Sequence, residues 1–249
     1  MRFTKANWFW WFLLAMIACI ASLAITNVRN IANNFYRREI RDPGVIRDYL
    51  ESHSIRKLHL GAGGNDPTEW LNTDIFPTGE EVYVDATKPF PFPDGSFQYI
   101  FSEHMIQAVP WEGGLAMLKE CYRVLAPGGK LRIVSPNLAK FVQLLRENPD
   151  ADAKRFMEAK MRFHGWPESP VTGAYIFNRQ VRDWGHQFLY DPATLRKSFE
   201  LAGFRQITEY RVDEKTDPVF RQAEIRTRNE GSDLWLINSW ESMAFEAVR

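Results

Sequence analysis

The amino-acid sequence predicts an α/β fold built on a mainly parallel sheet and preceded by one membrane-spanning helix. Short apolar strand signals alternate with helical or turn segments from residue 57 to residue 134, which is the rhythm of a parallel sheet. The first strand signal, LHL, runs directly into a glycine turn, GAGG, at residues 61–64. Near the N-terminus, residues 8–28 carry no charged side chain.

The uncharged N-terminal segment has the length of a membrane span. About 20 helical residues cover roughly 30 Å, the thickness of the hydrocarbon core of a bilayer. Trp8, Trp10 and Trp11 lie at its start, as interfacial aromatic residues do, and arginines outnumber the basic residues that precede it. We therefore predict a single-pass transmembrane anchor over residues 1–29 with a cytoplasmic C-terminal domain. A cleaved export signal, or a start codon placed upstream of a soluble enzyme, are the alternatives.

The rest of the chain is predicted to contain a basic linker with a short helix, residues 30–54, and one globular domain, residues 55–249. With 249 residues, 45% of them hydrophobic, the chain can bury one full-sized core. The 31 basic and 31 acidic residues balance, which removes the usual electrostatic reason to expect nucleic-acid binding. Cys19 and Cys121 are too few for a disulfide framework or a clustered metal site.

The individual elements follow from local patterns. Strands are predicted at residues 57–60, 71–75, 82–85, 99–102, 130–134 and 243–248. Helices are predicted at residues 113–125, 137–147 and 192–201, the last capped by Asp191 and stopped by Gly203. Residues 148–190, rich in aromatic residues, Arg, His and Pro, are predicted to form a lid or substrate insertion. The charged segment 217–233 is predicted to be a solvated face.

Three features at the strand ends suit a nucleotide-like ligand. The glycine turn lets the backbone approach a ligand closely, because glycine has no side chain and accepts positive φ. Asp74 and Asp85 each close an apolar strand, at the edge where open α/β sheets bind ligands. Carboxylates there suit ribose hydroxyls and an adenine amino group. A cap or turn role is the alternative for each aspartate, and tight turns also use glycine for geometric reasons.

The order of motifs over residues 55–203 resembles the class I S-adenosylmethionine-dependent methyltransferases, of the small-domain, type 11-like kind. The resemblance is carried by LHLGAGG, LNTDI, DATKPFPFPDGSFQYIFSEHMI and ECYRVLAPGGKLRIVSPN, and most specifically by PFPDGSFQYIFSEH and RVLAPGGKLRI. It implies a Rossmann-like, doubly wound sheet of about seven strands whose last strand is antiparallel. It also implies S-adenosylmethionine as the cofactor and no metal ion.

The resemblance also implies roles for individual residues. In that family the glycine turn lies against the methionine portion of the cofactor, an acidic residue after the second strand holds the ribose hydroxyls, and a residue after the third strand contacts adenine. The predicted cofactor-binding residues are therefore Gly61, Ala62, Gly63, Asp74, Asp85 and, at the end of the fourth strand, Ser102. His104 and His186 are the predicted catalytic residues, because methylating a hydroxyl requires proton removal near neutral pH.

Two functions other than methyl transfer are alternatives: a nicotinamide-dependent enzyme and a non-catalytic binding protein. The dinucleotide fingerprint requires a third glycine where this chain has Asp66, which disfavours a nicotinamide enzyme. Related methyltransferases commonly carry a Glu-His pair where this chain has Gln107-Ala108. We expect either a methyltransferase for a small-molecule, lipid or lipid-linked saccharide acceptor at the cytoplasmic membrane face, or a non-catalytic, membrane-tethered cofactor-binding or scaffold protein.

Overall fold

The computed structural model describes residues 15, 16, 19, 22, 28, 31–166, 170–212, 214, 217–226 and 229–249. The chain divides into two compact units, Met1–Val45 and Ile46–Arg249. In the first unit, residues 31–36 are helical and lead into a π-helical turn, Arg37–Arg41. The predicted anchor, residues 1–29, lies mostly outside the described residues. Among those that are described, no helix is both long enough and apolar enough to cross a membrane.

The second unit is organised around a seven-stranded sheet. Its strands, in chain order, are β1 (Lys57–Leu60), β2 (Leu71–Asp74), β3 (Val82–Tyr83), β4 (Phe97–Glu103), β5 (Leu125–Pro136), β6 (Gln206–Tyr210) and β7 (Ser242–Val248). They lie in the order β3-β2-β1-β4-β5-β7-β6. Strand β7 is antiparallel to both of its neighbours, whereas the pairs from β3 to β5 are parallel. The predicted doubly wound sheet with an antiparallel last strand is confirmed.

Eight helices accompany the sheet in the described part of the chain: α1 (Asp42–Ser52), α2 (Trp111–Val124), α3 (Leu138–Gln143), α4 (Ala151–His164), α5 (Gly173–Arg182), α6 (Pro192–Ala202), α7 (Pro218–Arg221) and α8 (Asp233–Glu241). A 3₁₀ turn, Ile106–Ala108, follows β4. Helix α2 buries Met117, Leu118 and Cys121 on one face. Spacings of three and four residues, from Leu118 and Met117 to Cys121, place these side chains together.

The first two crossovers contain no helix. Residues 61–70 and 75–81, all of them described, form turns and bends only, although parallel strands are usually joined by a longer crossover with a helix. The apolar face left beside β4 and β5 is covered instead by the segment after β6. There Phe220 and Ala223 are fully buried in one cluster with Phe101. The prediction that residues 217–233 form a solvated face is therefore wrong at these positions, because the sheet needs a cover.

Charged groups fix this covering segment to the sheet. The guanidinium of Arg132, on β5, is fully buried; its Nε donates to Glu224 at 2.6 Å and one terminal nitrogen donates to Glu246 at 2.9 Å. The side-chain amide of Asn65, in the glycine loop, donates to the carbonyl of Ala223 at 2.8 Å. The segment is thus anchored both to the sheet and to the glycine loop.

The region predicted as a lid, residues 148–190, contributes α4 and α5, which cluster with α3 and α8. Their shared centre is the buried ammonium of Lys160, which donates to the carboxylate of Glu241 and to the side-chain oxygen of Gln180 at 2.7 Å. The ammonium also lies 5.2–5.4 Å from the ring centroids of Phe141, Phe156 and Trp184. An ion pair and aromatic faces together compensate the lost hydration of this cation.

The N-cap of α6 gives a direct test of the local structure. The Asp191 side chain accepts a hydrogen bond from the backbone N–H of Thr194 at 2.7 Å. We expect Asp191→Ala to lower the free energy of unfolding by about 1 kcal/mol, because it removes this acceptor. Asp191→Asn should retain most of the stability, since asparagine also caps helices. Chemical denaturation of the three proteins measures the effect, and equal losses in both variants would contradict a capping role.

Candidate functional site

The candidate site lies at the carboxyl ends of β1, β2 and β4. Strand order reverses at β1, which lies between β2 on one side and β4 on the other. The loops that follow β1 and β4 therefore leave the sheet in different directions and open a crevice, which is where open α/β sheets bind ligands. The glycine turn lines one side of this crevice, and residues Ser102–His104 line the other.

The glycine turn combines one packed position with one open position. Both Gly61 (φ 69°) and Gly63 (φ 59°) have left-handed backbone conformations. A Cβ atom on Gly61 would lie 2.4 Å from Cγ of Met105, whereas one on Gly63 would meet nothing within 4 Å. Gly61 thus lets the chain pass Met105, and the backbone at Gly63 is open to a ligand.

Asp74 is held beside the glycine turn. One carboxylate oxygen accepts from the backbone N–H of Gly63 at 3.0 Å, and the other accepts from Phe76 N–H at 2.8 Å. Nearby, the N–H of Ala62 donates to the carbonyl of Thr73 at 3.0 Å. Because an ionised carboxylate offers about four acceptor positions, two backbone donors orient Asp74 and leave capacity for ligand hydroxyls.

Glu81 is a contributor that the sequence patterns did not reveal. It is buried, and its carboxylate accepts from the N–H of Gly64 at 3.0 Å and from the N–H and hydroxyl of Thr78 at 2.5 and 3.1 Å. Since it is one of two adjacent glutamates before β3, sequence alone offered no sign that this one turns inward. Glu81 fixes the far end of the glycine turn as Asp74 fixes its middle.

Asp85 occupies a turn after β3. Its Oδ1 accepts from both the backbone N–H and the hydroxyl of Thr87, at 2.9 and 2.7 Å. This is the turn role that the sequence left open as an alternative. The carboxylate remains half-buried at the same sheet edge as Asp74.

The end of β4 carries two buried polar groups that lack partners. The hydroxyl of Ser102 and the Oε1 atom of Glu103 make no hydrogen bond within the described part of the chain. Burial raises the pKa of Glu103 to about 7; the charges of Arg226 and Arg132 lower it and that of Glu224 raises it further. Buried polar atoms without partners are uncommon, and these two lie on consecutive residues at the carboxyl end of β4.

His104 follows these residues in a left-handed conformation, with φ 53°. Its Nε2 lies 3.0 Å from Oδ1 of Asn238 and 2.8 Å from the hydroxyl of Ser242. Because that hydroxyl donates to Asn238 at 2.8 Å, Nε2 carries the proton and Nδ1 the lone pair. Burial and the charges of Arg226 and Lys160 hold the pKa of His104 well below its usual value, so the ring is neutral.

His186 lies in the loop between α5 and α6, away from the glycine turn in sequence. Its Nδ1 donates to the carbonyl of Gln180 at 2.6 Å, which leaves the lone pair on Nε2. Burial lowers its pKa, while the hydrogen bond to Gln180 opposes this shift. The structure thus places both predicted histidines as neutral rings, each with one nitrogen engaged and one able to accept a proton.

The departure at Gln107-Ala108 has a structural role. The carbonyl of Gln107 accepts from the N–H groups of Gln187 and Phe188 at 2.8 and 3.2 Å, and the carbonyl of Ala108 accepts from the side chain of Gln187 at 2.8 Å. The turn after β4 therefore holds the loop that carries His186.

A cavity of about 640 Å³ is lined by residues of α3, α4, β6, α8 and β7. Ser242, which contacts His104, is one of its lining residues, and the aromatic residues Phe156, Tyr210, Trp235 and Trp240 form other parts of the wall. Charged side chains of both signs complete it. This volume is within the range of small-ligand sites.

These features fit S-adenosylmethionine. The open backbone at Gly63, the spare acceptor positions of Asp74 and the polar groups of Ser102 and Glu103 follow the adjacent strands β1, β2 and β4 at one edge of the sheet. Asp85 adds a carboxylate from the neighbouring turn. Together they supply a backbone that a ligand can approach, carboxylates that accept hydrogen bonds from ribose hydroxyls, and further polar groups. A nucleoside with an amino-acid end requires such groups.

Similarity to known proteins agrees with this chemistry. Residues 69–133 match a family model described as a methyltransferase domain. The matched span, about a quarter of the chain, includes Asp74, Asp85, Ser102 and His104 but not the glycine turn. The match shows that this part of the chain is similar to methyltransferase domains, and it supports S-adenosylmethionine as the cofactor. No curated protein matches the chain in sequence.

Several solved structures are similar in fold. They include S-adenosylmethionine-dependent methyltransferases from Archaeoglobus fulgidus (TM-score 0.45, 18% identity, covering 88% of this chain and 99% of that one), Mesorhizobium loti (0.44, 16%, 83% and 96%) and Thermotoga maritima (0.44, 13%, 86% and 98%). At these identities and TM-scores, the likenesses do not decide acceptor, partner or location.

The glycine turn predicts a contrast between two substitutions. We expect Gly63→Ala to cost about 1–2 kcal/mol, because only the left-handed backbone opposes it. Gly61→Ala should cost about 1–3 kcal/mol more, since its Cβ would also displace Met105. Thermal or chemical unfolding measures both. Equal destabilisation would contradict the packing described at Gly61.

Glu103 predicts a pH-dependent stability difference. The folded protein holds this proton more tightly than the unfolded chain, so the group's contribution to stability falls as the pH rises from about 4.5 to about 7. We expect Glu103→Gln to gain stability relative to wild type across that interval, by up to about 3 kcal/mol, and to gain no more above it. Denaturation at several pH values, with the exposed Glu200→Gln as control, measures this. A pH-independent difference would be contrary evidence.

Proposed function

We propose that the protein transfers the methyl group of S-adenosylmethionine to a small-molecule, lipid or saccharide acceptor at the cytoplasmic face of a membrane. The observation that carries the enzymatic part is the match of residues 69–133 to a methyltransferase domain, on strands whose ends lie beside the glycine turn. S-Adenosylmethionine supplies an activated methyl group, so the protein's task is mainly to hold donor and acceptor in attack geometry.

Different residues of the chain bind different parts of the cofactor. The turn of Gly61, Ala62 and Gly63 lies beside the methionine portion of the cofactor, and Asp74 accepts hydrogen bonds from the ribose hydroxyls. Asp85 faces the adenine end, and its bonds to Thr87 preorganise that turn. Ser102 supplies a hydroxyl whose bonding is incomplete without a ligand.

His104 and His186 are the proton acceptors for the acceptor nucleophile. Both rings are neutral near pH 7, because burial lowers their pKa values. Each keeps one ring nitrogen with a lone pair, Nδ1 in His104 and Nε2 in His186. A neutral imidazole can take the proton that an O–H or N–H nucleophile loses during transfer.

The cavity that Ser242 lines supports a polar, ring-containing acceptor. Trp235 and Trp240 offer aromatic faces, while Asn137 and the charged groups around them offer hydrogen bonds. Such a wall suits a saccharide or a phosphorylated headgroup better than a bare hydrocarbon. The uncharged segment at residues 8–28 supports a membrane-anchored acceptor, and the slight excess of arginine after it supports a cytoplasmic domain.

A non-catalytic cofactor-binding or scaffold protein is the second candidate function. The replacement of a Glu-His pair by Gln107-Ala108 favours it. Against it, the side chain of Gln107 is buried, and a glutamate at this position would carry an uncompensated charge. The two candidates share cofactor binding and differ in turnover.

Calorimetric titration of the full chain tests the cofactor assignment. We expect saturable binding of S-adenosylmethionine and none of a nicotinamide dinucleotide. Asp74→Ala should weaken binding about 10- to 100-fold, because a charge-assisted acceptor for two hydroxyls is lost. The control is Asp94→Ala, an exposed carboxylate before β4 at the opposite edge of the sheet. Unchanged affinity in Asp74→Ala would overturn the ribose assignment, and binding without methyl transfer to membrane lipid extracts would favour the scaffold candidate.

A further inference from the structure

The cavity of about 640 Å³ lies at the ends of β5, β6 and β7. Asn137 directly follows β5, Tyr210 is the last residue of β6, and Ser242 is the first residue of β7. Pro136 pairs with Ser242, and Tyr210 pairs with Ala244. Because β7 is antiparallel to both neighbours, its first residue lies at the carboxyl ends of β5 and β6. The cavity is therefore at the same edge of the sheet as the candidate cofactor-binding residues.

The rim of this cavity is charged, whereas its interior carries a single charge. The exposed lining residues are all charged: Asp152, Arg155, Glu209, Arg211 and Glu214. The other lining residues of the described chain are buried or half-buried, and Lys140 is the charged one among them. Water screens exposed charges, whereas a partly buried charge is screened much less. The electrostatic preference of the interior is therefore determined mainly by the ammonium of Lys140.

The ammonium of Lys140 has no carboxylate to neutralise it. Its nitrogen lies 5.5 Å from the ring centroid of Trp240, and within the described part of the chain it forms no ion pair or hydrogen bond. Trp240 itself is held by stacking on Phe156, with the ring centroids 4.1 Å apart. An ammonium with three donors and only an aromatic partner can bind an anion. A cationic ligand, in contrast, would be repelled.

Uncharged groups of the cavity wall add further hydrogen-bond donors. The Oδ1 atom of Asn137 accepts from the backbone N–H of Ala139 at 3.0 Å, which leaves the NH₂ group of the side chain. The hydroxyl of Tyr210 and the indole N–H of Trp235 line the same cavity and form no hydrogen bond among the described residues. A wall with one ammonium and several neutral donors favours a ligand group that is negatively charged and rich in acceptor oxygens.

On the basis of the function proposed above, we propose that this cavity binds the phosphate group of a phosphorylated acceptor. Lys140 supplies the counter-charge, since lysine binds phosphate as a point charge, and Asn137 and Tyr210 supply neutral donors. The cavity is larger than a phosphate group, so the organic part of the ester lies against Trp235. Ser242 lines this cavity and also contacts the ring of His104, which links the bound acceptor to a predicted proton acceptor.

Two phosphate esters and their uncharged counterparts test the assignment by calorimetry on the full chain at constant ionic strength. Glycerol 1-phosphate and glucose 1-phosphate are compared with glycerol and glucose. We expect at least one ester to bind at least 10-fold more tightly than its counterpart, and Lys140→Gln to weaken that binding about 10- to 100-fold. Lys154→Gln, which removes an exposed lysine of α4 that does not line this cavity, is the matched control and should bind as wild type does.

Two more variants separate binding from a purely structural role. Lys140→Gln also removes the contact with Trp240, so Lys140→Arg, which restores a positive charge, should recover most of the ester affinity. Tyr210→Phe keeps the ring and removes one hydroxyl donor, and it should weaken ester binding about 10-fold. If Lys140→Gln does not fold, Tyr210→Phe carries the test. Binding of S-adenosylmethionine should be unchanged in all of these variants.

The outcomes distinguish this assignment from the proposed function. A preference for the glycerol ester supports a lipid headgroup as the source of the phosphate, and a preference for the glucose ester supports a saccharide phosphate. Equal binding of esters and uncharged counterparts, or unchanged ester affinity in both Lys140→Gln and Tyr210→Phe, would overturn the assignment. Binding of S-adenosylmethionine without either ester would reject the phosphate site and leave methyl transfer standing. Ester binding that depends on Lys140, in a protein that does not bind S-adenosylmethionine, would establish the phosphate site and reject methyl transfer.

Discussion

The buried guanidinium of Arg132 is the constraint on which the arrangement around the site depends. A fully buried cation must have counterions, and it takes one from β7, Glu246, and one from the segment after β6, Glu224. Removing either partner would leave a charge uncompensated in the interior. The pairing therefore determines where the chain runs after β6. It also determines the position of Phe220, whose side chain covers the face of β4 and β5 that is left open because no helix joins β1 to β2.

The missing first crossover helix also changes how the glycine turn is held. In many nucleotide sites the turn leads into a helix whose N-terminus contributes backbone donors. In this protein residues 61–70 run directly to β2, and two carboxylates take over the positioning: Asp74 accepts from Gly63, and Glu81 accepts from Gly64. The N–H groups of the turn are thus partly used within the protein. Fewer N–H groups of the turn are therefore left for a ligand than in a site with a helix N-terminus.

The sequence predicted what depends on local pattern. Strand β1 was placed at its observed bounds, and α6 was predicted with its cap at Asp191 and its stop at Gly203 because both signals are short-range. The strand that ends at Asp74 was also predicted from its local pattern, whereas the antiparallel pairing of β7 followed from the resemblance. The covering role of residues 218–226 could not be predicted, because it depends on a long-range ion pair, Arg132 with Glu224, inside a segment whose composition is that of a surface. For the same reason Glu81 was not predicted: burial of a carboxylate is a tertiary property.

The turn after β4 joins the two halves of the site. Its first residue, His104, is held through Ser242 and Asn238 to β7 and α8, while its last residues, Gln107 and Ala108, hold the loop that carries His186. Displacing α8 would therefore disturb His104, and displacing the loop before α6 would disturb His186. One short turn connects the two positions.

Lys160 holds the helices around both histidines. Its ammonium ties α4 to Glu241 of α8 and to Gln180 of α5. Under the proposed function, helices α4, α5 and α8 hold the two candidate proton acceptors, whereas the sheet edge holds the candidate cofactor-binding residues.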